Sequence, residues 1–311
     1  MIPYIAKKIG ILVFSLWVVA TLTFFLMHSV PGDPFTQDKA IPQEILQAMN
    51  KHYGLDKPLF EQYVTYVKGL FTLDLGPSFK YPGRTVNEII LEGFPVSFCL
   101  GVEALFFSMT FGLLLGTLSA LQRGKWQDKA TIVFAVFSIS IPSFLLATLL
   151  QYVFAMKLHL LPIARWGSFS QSILPALSLA ALPTAFIARL LRSSMIEVLH
   201  QDYIQTAKAK GLSSFQILIK HVFKNSFLPV ISYLGPLTAS IVTGGFAVEK
   251  IFGIPGLGQW FVLSIMNRDY TTIMGTTLFF SSFLMICVFA VDVLYCFFDP
   301  RIHLKTDNSS L

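Results

Sequence analysis

Residues that could carry out catalysis or hold a metal ion are scattered along this sequence. The six histidines show no HExxH spacing, and the three cysteines, all in or beside apolar runs, show no CxxC spacing. Zinc enzymes and structural metal sites require such spacings. The stretch GKW at 124–126 is not a phosphate-binding loop, because Trp126 stands where Ser or Thr must hold magnesium. We therefore expect neither an enzyme nor a chain that binds ATP or another cofactor itself.

Two carboxylates fall inside long apolar runs. Glu103 lies early in the second run and Asp292 late in the sixth. Ionisable groups are costly inside a membrane and are functional candidates by default, so both are candidates for a translocation path. Both also lie near the predicted ends of their runs, which leaves an interface position or a helix–helix hydrogen bond open. The sequence shows no relay of ionisable groups and no ring of charges, so it favours neither a secondary transporter nor an ion channel.

The composition indicates that these residues are held by membrane helices. Hydrophobic residues make up 54% of the 311 residues and charged residues only 13%, whereas about a quarter of the residues are charged in a soluble domain. The net charge is +6, but the basic residues cluster at the ends of apolar runs. Basic residues at such positions orient a membrane protein. We therefore expect contact with membrane lipid and no binding of nucleic acid.

Six runs are long enough to cross a bilayer, which needs about 20 apolar residues in a helix. They cover residues 9–29, 96–121, 131–156, 173–192, 229–249 and 272–298. The fourth is the weakest, because Pro175 and Pro183 interrupt it. The sequence thus predicts an all-α integral membrane protein with six transmembrane helices.

The distribution of lysine and arginine predicts the orientation. The first run follows Lys7 and Lys8 and lacks a small-residue cleavage site, so we interpret it as an uncleaved anchor. Short loops rich in basic residues face the cytoplasm. This rule places the two termini, 122–130 and 193–228 inside, and 30–95, 157–172 and 250–271 outside.

The predicted organisation has four parts. They are an N-terminal anchor helix at 1–29, an extracytoplasmic helical region at 30–95, a core domain at 96–298 with the five further spans and a cytoplasmic tail at 299–311. In the second part, Gly54 is expected to end one helix and Pro58 to begin another, which has Phe60, Tyr63, Val64 and Val67 on one face. The stretch RTVNEIILEGF predicts a third outer helix that leads into the second span.

The predicted inside loop at 201–229 is polar, basic and punctuated by one glycine. Asp202 and Gln205 have the spacing of a helix N-cap and its reciprocal partner, and Gly211 supplies a left-handed stop. Ser213 and Gln216 repeat the capping spacing. The loop therefore predicts a short helix over 203–210, a sharp turn and a second helix.

The short helix offers a surface for another protein. Thr206, Ala207 and Ala209 are small, which permits close approach, and Lys208 and Lys210 add salt-sensitive attraction. The alternative is a helix that lies on anionic headgroups, which requires a bulky apolar face. The only bulky apolar residues between 203 and 210 are a tyrosine and an isoleucine, so docking to a protein is favoured.

The predicted outer loop EKIFGIPGLGQWF is apolar and rich in glycine. Gly253, Pro255, Gly256 and Gly258 suggest a segment that folds back as part of an external gate. An interfacial segment anchored by Trp260 is an equally open alternative.

The loop at 201–229 resembles the cytoplasmic coupling loop, or EAA loop, of ABC importer permeases. Four further stretches resemble the dipeptide/oligopeptide/nickel branch of that family and cover nearly the whole chain. They are MIPYIAKKIGILV…FFLMHSVPGDP, YGLDKPLFEQYVTYVKGLFTLDLGPSF, ILPALSLAALPTAFIARLLRSSMIEVLHQDYIQTAKAKGL and VEKIFGIPGLGQWF…RDYTTIMG…VDVLYCFFDPRI. The N-terminal VPGDP and the long first outer loop resemble the B-type permease. One departure is that the EAA positions fall on Gln205, Thr206 and Ala207, so the acidic residue is missing.

The resemblance implies the type I ABC importer permease fold in a bacterial plasma membrane. The implied partners are a second homologous permease, two ABC ATPase subunits that bind ATP, and an extracytoplasmic substrate-binding protein. The implied cargo is peptide, and nickel chelates, glutathione and oligosaccharides are alternative cargoes. A channel or scaffold without ATP coupling is the alternative function. The coupling role falls on Asp202, Tyr203, Gln205, Thr206, Ala207, Lys208, Ala209, Lys210 and Gly211.

Overall fold

The computed structural model describes residues 2–31, 35 and 42–298, and within these residues the regular structure is helical. The α-helices are α1 (Ile2–Ser29), α2 (Gln43–His52), α3 (Leu59–Phe71), α4 (Val86–Leu121), α5 (Trp126–Ser140), α6 (Ser143–Leu150), α7 (Phe169–Leu199), α8 (Asp202–Ala209), α9 (Ser214–Ile217), α10 (Lys224–Ser226), α11 (Leu228–Gly244), α12 (Phe246–Phe252), α13 (Leu257–Asn267) and α14 (Tyr270–Phe298). Two π-helical segments, Gln151–Lys157 and Leu218–Phe223, follow α6 and α9. The predicted tail at 299–311 lies outside the described residues.

The chain divides into two compact units. The first comprises residues up to Ser97 together with Pro255–Met285, and the second comprises Phe98–Ile254 together with the residues from Ile286 onward. The division into an anchor, an outer region and a core, which follows membrane topology, stays a prediction. The predicted boundary at residue 95 lies within α4, so the third predicted outer helix and the second span form one helix.

Among the residues that the structure describes, four helices are long and apolar enough to cross a membrane. They are Ala6–Ser29, Val86–Leu121, Phe169–Leu199 and Tyr270–Val293. Two bent helix pairs, Trp126–Ser140 with Ser143–Lys157 and Ser214–Ser226 with Leu228–Val242, bring the number to six when each pair counts as one span. The prediction of six apolar spans therefore agrees with the structure on that count.

The predicted single helix over 131–156 is wrong. The two helices of this pair meet at an angle of 108°. Ile141 has extended backbone angles, φ −97° and ψ 123°, and Pro142 begins the next helix. A residue before proline is disfavoured in the helical region because the proline ring clashes with it. Hydropathy alone missed the bend because both arms are apolar and no charged residue marks the break between them.

The expectation that the fourth span is the weakest is also wrong. The helix α7 runs without a break through Pro175 and Pro183, both of which are buried. It is the most enclosed of the four single-helix spans, with 61% of its apolar window buried, and α5, α6, α11 and α12 pack against it. Neighbouring helices can compensate for the backbone hydrogen bonds that proline removes.

One further boundary differs from expectation. The predicted span 229–249 is divided, because α11 ends at Gly244 and α12 begins at Phe246.

The predicted outer region has the expected helix ends. Gly54 follows α2 with φ +70° and Pro58 precedes α3. On the predicted face of α3, Tyr63, Val64 and Val67 are half-buried, whereas Phe60 is 75% exposed and does not belong to the packed part of that face.

Candidate functional site

The predicted short helix in the inside loop is present as α8, which ends in a left-handed turn. It covers Asp202–Ala209, and Gly211 adopts φ +78°. The Gly211 amide donates to the Lys208 carbonyl at 2.9 Å, and the Leu212 amide donates to the Ala207 carbonyl at 3.3 Å. A φ of this sign is strained for residues with a Cβ, so glycine ends the helix here for a physical reason.

The predicted cap at the start of α8 is wrong, whereas the second predicted cap is confirmed. Gln201, not Asp202, occupies the N-cap position, and no side chain caps this end. Asp202 lies in the first turn instead, where its negative charge interacts favourably with the positive end of the helix dipole. In the next helix, the Ser213 hydroxyl accepts from the Gln216 amide at 3.3 Å and the Gln216 side chain accepts from the Ser213 amide at 3.2 Å.

The helix α8 is fixed to its own subunit by one face. Ile204 is fully buried and Ala207 is 6% exposed. The Asn225 side-chain amide, on α10, donates to the Tyr203 hydroxyl at 2.9 Å. Ala207 is therefore committed to packing inside the chain, and the expectation that it belongs to the docking surface is corrected.

The opposite face of α8 is exposed. It consists of Asp202, Tyr203, Gln205, Thr206, Lys208 and Ala209, and Lys210 and Gly211 after the helix are exposed as well. The bulkiest apolar group on this face is the Tyr203 ring, which is 42% exposed. A helix that rests on lipid buries a broad apolar face, and this one offers small, polar and cationic groups. The geometry favours docking to a protein over adsorption to headgroups.

The two intramembrane carboxylates have different settings. Glu103 lies near the middle of α4, not near an end, because α4 begins ten residues before the predicted start at 96. Its Oε2 atom is buried and has no hydrogen-bond partner among the described residues. Asp292 lies towards the end of α14 and is half-buried. A buried carboxylate oxygen without a partner is costly, so Glu103 is the more unusual of the two.

The predicted outer loop is mostly helical. Gly253 ends α12 with φ +63°, and Gly256 is the N-cap residue of α13, whose first turn contains the buried Gly258. Gly253 belongs to the second unit, whereas Pro255, Gly256 and Gly258 belong to the first, so the structure does not group the four within one unit. Within the first unit, the Leu257 amide at the start of α13 donates to the Ser97 hydroxyl at 2.9 Å.

Trp260, the proposed interfacial anchor, contacts protein groups. The ring of Tyr81 meets it edge-on at 5.2 Å between centroids. The Arg84 guanidinium lies 5.6 Å from the centre of the Trp260 ring, within the range of a cation–π contact.

Sequence reasoning missed a fully buried carboxylate, Asp269. It accepts hydrogen bonds from the Phe79 amide at 3.1 Å and from the Thr272 hydroxyl at 2.8 Å, as well as from the hydroxyls of Ser78 and Thr271. The Thr272 amide also donates to it at 3.3 Å, which makes Asp269 the cap of α14. An aspartate directly before a long apolar run was the signal that predicts such a cap.

The chain matches two family models along most of its length. Residues 112–304 match the model described as "Binding-protein-dependent transport system inner membrane component", and residues 1–101 match the model of the N-terminal part of such components. The chain belongs to this family. It is therefore a multi-pass membrane transport component and not an enzyme, and the predicted resemblance is confirmed.

Individual relatives agree. The dipeptide transport system permease protein DppB of Bacillus subtilis is 49% identical over 304 residues, covering 98% of this chain and 99% of the relative. The oligopeptide transport system permease protein OppB of Haemophilus influenzae is 40% identical over 304 residues, covering 97% of this chain and 99% of the relative. A solved structure of the methionine ABC transporter MetNI in an inward-facing conformation matches with a TM-score of 0.55 at 20% identity, covering 68% of this chain and 96% of that chain. This last match confirms the predicted permease fold.

Proposed function

We propose that this chain is the membrane-spanning subunit of an ATP-driven importer that carries dipeptides or oligopeptides. The relatives at 49% and 40% identity are permeases of dipeptide and oligopeptide transport systems, and they match along almost their entire length. An extracytoplasmic binding protein delivers the peptide. Two ABC ATPase subunits bind and hydrolyse ATP, and a second homologous permease completes the pathway. The termini lie on the cytoplasmic side of a bacterial plasma membrane.

The observation that carries the coupling mechanism is the two-sided character of α8. One face is fixed by the buried Ile204 and Ala207 and by the Tyr203–Asn225 hydrogen bond. The other face is polar, basic and exposed. In our proposal this exposed face inserts into a cleft on one ATPase, and closure of the ATPases moves α8 together with the spans to which it is fixed. Such a rigid-body movement between two states is an established form of coupling.

Charge reversal tests the docking surface. Lys208→Glu with Lys210→Glu is compared with Lys220→Glu and Lys224→Glu, a matched pair of exposed lysines further along the same predicted inside loop. Each variant is purified with the second permease and the ATPases and assayed for peptide uptake in proteoliposomes. We expect the first pair to lose most uptake while still inserting into the membrane, and the control pair to keep it. Normal uptake by the first pair would refute docking through this surface.

Glu103 is our candidate for a residue on the translocation path. The support is its half-buried position near the middle of α4, with one carboxylate oxygen lacking a partner among the described residues. A peptide carries an ammonium group that an intramembrane carboxylate can attract.

A further inference from the structure

The buried carboxylate of Asp128 accepts hydrogen bonds from three separate segments of the chain. Asp128, in the first turn of α5, is 3% exposed. It accepts from Arg192 on α7, at 2.7 Å from Nε and 2.9 Å from Nη2. It also accepts from the Ser119 hydroxyl near the end of α4 at 2.5 Å, and from the Gly124 amide at 2.9 Å. We call these four residues the Asp128 clamp.

The Asp128 clamp is rigid for electrostatic and geometric reasons. Two parallel hydrogen bonds from one guanidinium fix the direction of a carboxylate as well as its distance. The remaining lone pairs are used by Ser119 and Gly124. Gly124 adopts φ +81°, which lets the connection between α4 and α5 turn tightly enough to direct its amide at the carboxylate.

The helices joined by the clamp are also in direct backbone contact. Gly112 and Gly116 on α4 face α7 with the spacing of a GxxxG motif. A Cβ added at Gly116 would lie 2.8 Å from the Ala188 carbonyl oxygen, and one at Gly112 would lie 2.7 Å from a methyl group of Ile187. Small residues at this spacing allow membrane helices to approach closely. The end of α4, the start of α5 and α7 therefore form one block.

The block is connected to α8 by two short routes. Along the chain, Leu199 at the end of α7 lies seven residues after Arg192, about 10 Å of helix, and only His200 and Gln201 lie between α7 and α8. Through space, Tyr203 of α8 is bonded to Asn225 of α10, and α10 packs on α7. A displacement of α8 thus has a contiguous path of contacts to the clamp.

We propose that the Asp128–Arg192 pair is a positioning element for energy coupling, which makes α4 and α5 move together with α7 when the coupling helix is displaced. This inference rests on the proposed docking of α8 to an ATPase. Without the pair, α8 and α7 still move with the ATPases, but the movement reaches α4 and α5 only in part. ATP hydrolysis then continues while less peptide is carried per ATP.

The test is the number of peptides transported per ATP hydrolysed by the complete complex in proteoliposomes. The first variant is Asp128→Asn. The second is Asp128→Asn combined with Arg192→Met, which removes both charges, keeps one acceptor oxygen for the Gly124 amide and offers an NH2 group to the Ser119 hydroxyl, which can also accept. This double variant guards against misfolding, because breaking a buried ion pair on one side is far more damaging than replacing both partners. Arg189→Met is the matched control, since Arg189 is an exposed arginine one turn earlier on α7.

We expect the double variant to lose about tenfold in peptide carried per ATP, a typical size for the loss of a coupling contact, with hydrolysis within about twofold of the parent. The control should keep the parent ratio. An unchanged ratio in the double variant would overturn the inference, and so would failure of both Asp128 variants to assemble, because the pair would then serve folding alone. If charge reversal at Lys208 and Lys210 also left uptake normal, the docking proposal itself would be refuted. If only the double variant kept the parent ratio of peptide to ATP, the role of the Asp128 clamp alone would be refuted.

Discussion

Replacement of Gly211 should separate the geometry of the coupling turn from its packing. Gly211 adopts φ +78°, and a Cβ added there would meet no atom of the described residues within 4 Å. Alanine is therefore penalised by backbone strain alone, about 1–2 kcal/mol in the left-handed region. Proline cannot adopt a positive φ and also lacks the amide that donates to the Lys208 carbonyl at 2.9 Å, so we expect a cost of about 3 kcal/mol or more.

These costs act on a helix of eight residues with few anchors. Ile204 and Ala207 are its buried side chains, so a change of 1–2 kcal/mol in the turn changes the ratio of correctly placed to displaced α8 by roughly 5–30-fold. We expect Gly211→Ala to reduce peptide uptake by up to that factor and Gly211→Pro to abolish it. Membrane insertion should be unaffected, because the turn lies outside the helices that cross the membrane.

The assay is peptide uptake in proteoliposomes containing the complete complex, normalised to the amount of inserted permease. Gly83→Ala is the matched control, because Gly83 adopts φ +79° and an added Cβ there also meets no atom within 4 Å of the described residues. The control carries the same strain in the other unit of the chain. Normal uptake with Gly211→Pro would refute the reasoning that the turn holds α8 in position.

Two further predictions concern stability. Gly116→Val places a branched side chain where even a Cβ would lie 2.8 Å from the Ala188 carbonyl oxygen. It should therefore destabilise the purified permease by about 1–3 kcal/mol. The control Gly10→Val, at an open position, should leave the melting temperature of the permease unchanged. Burial, aided by nearby Tyr63, raises the pKa of Tyr66 from 10.0 to about 12, so the parent should lose stability as the pH rises from about 10 towards 12, because the unfolded state releases this proton first. Tyr66→Phe should remove that part of the alkaline loss, measured by melting temperature against pH, and an identical profile in the variant would contradict the assignment.

The coupling turn could be predicted because its signals are local. Gly211, which ends the helix, and the capping pair Ser213 and Gln216 lie within a few residues of each other in the sequence. The structure has both features. The cap at Asp202 was wrong because Gln201 already has the extended backbone of a cap residue. Two adjacent polar residues do not show by type alone which of them precedes the helix.

The features that the sequence did not predict depend on the direction of a helix or on contacts between residues far apart in the chain. Hydropathy measures how apolar a run is and not whether it is straight, so the bend at Pro142 was missed. The two prolines marked α7 as the weakest span, although it is one unbroken helix and the most enclosed of the four single-helix spans. The Asp128–Arg192 pair joins residues 64 positions apart, and a count of lysine and arginine at the ends of apolar runs includes Arg192 as a topology signal and ignores Asp128.

The central claim is that this chain carries peptide through a complex powered by partner ATPases. The most direct measurement is to purify the chain from native membranes in mild detergent and to assay nucleotide hydrolysis in the material that co-elutes, with and without binding protein loaded with peptide. We predict a second permease and ATPases in the eluate, and hydrolysis that rises when the loaded binding protein is added. Elution of the chain without nucleotide hydrolysis, under conditions that preserve other membrane complexes, would contradict the claim.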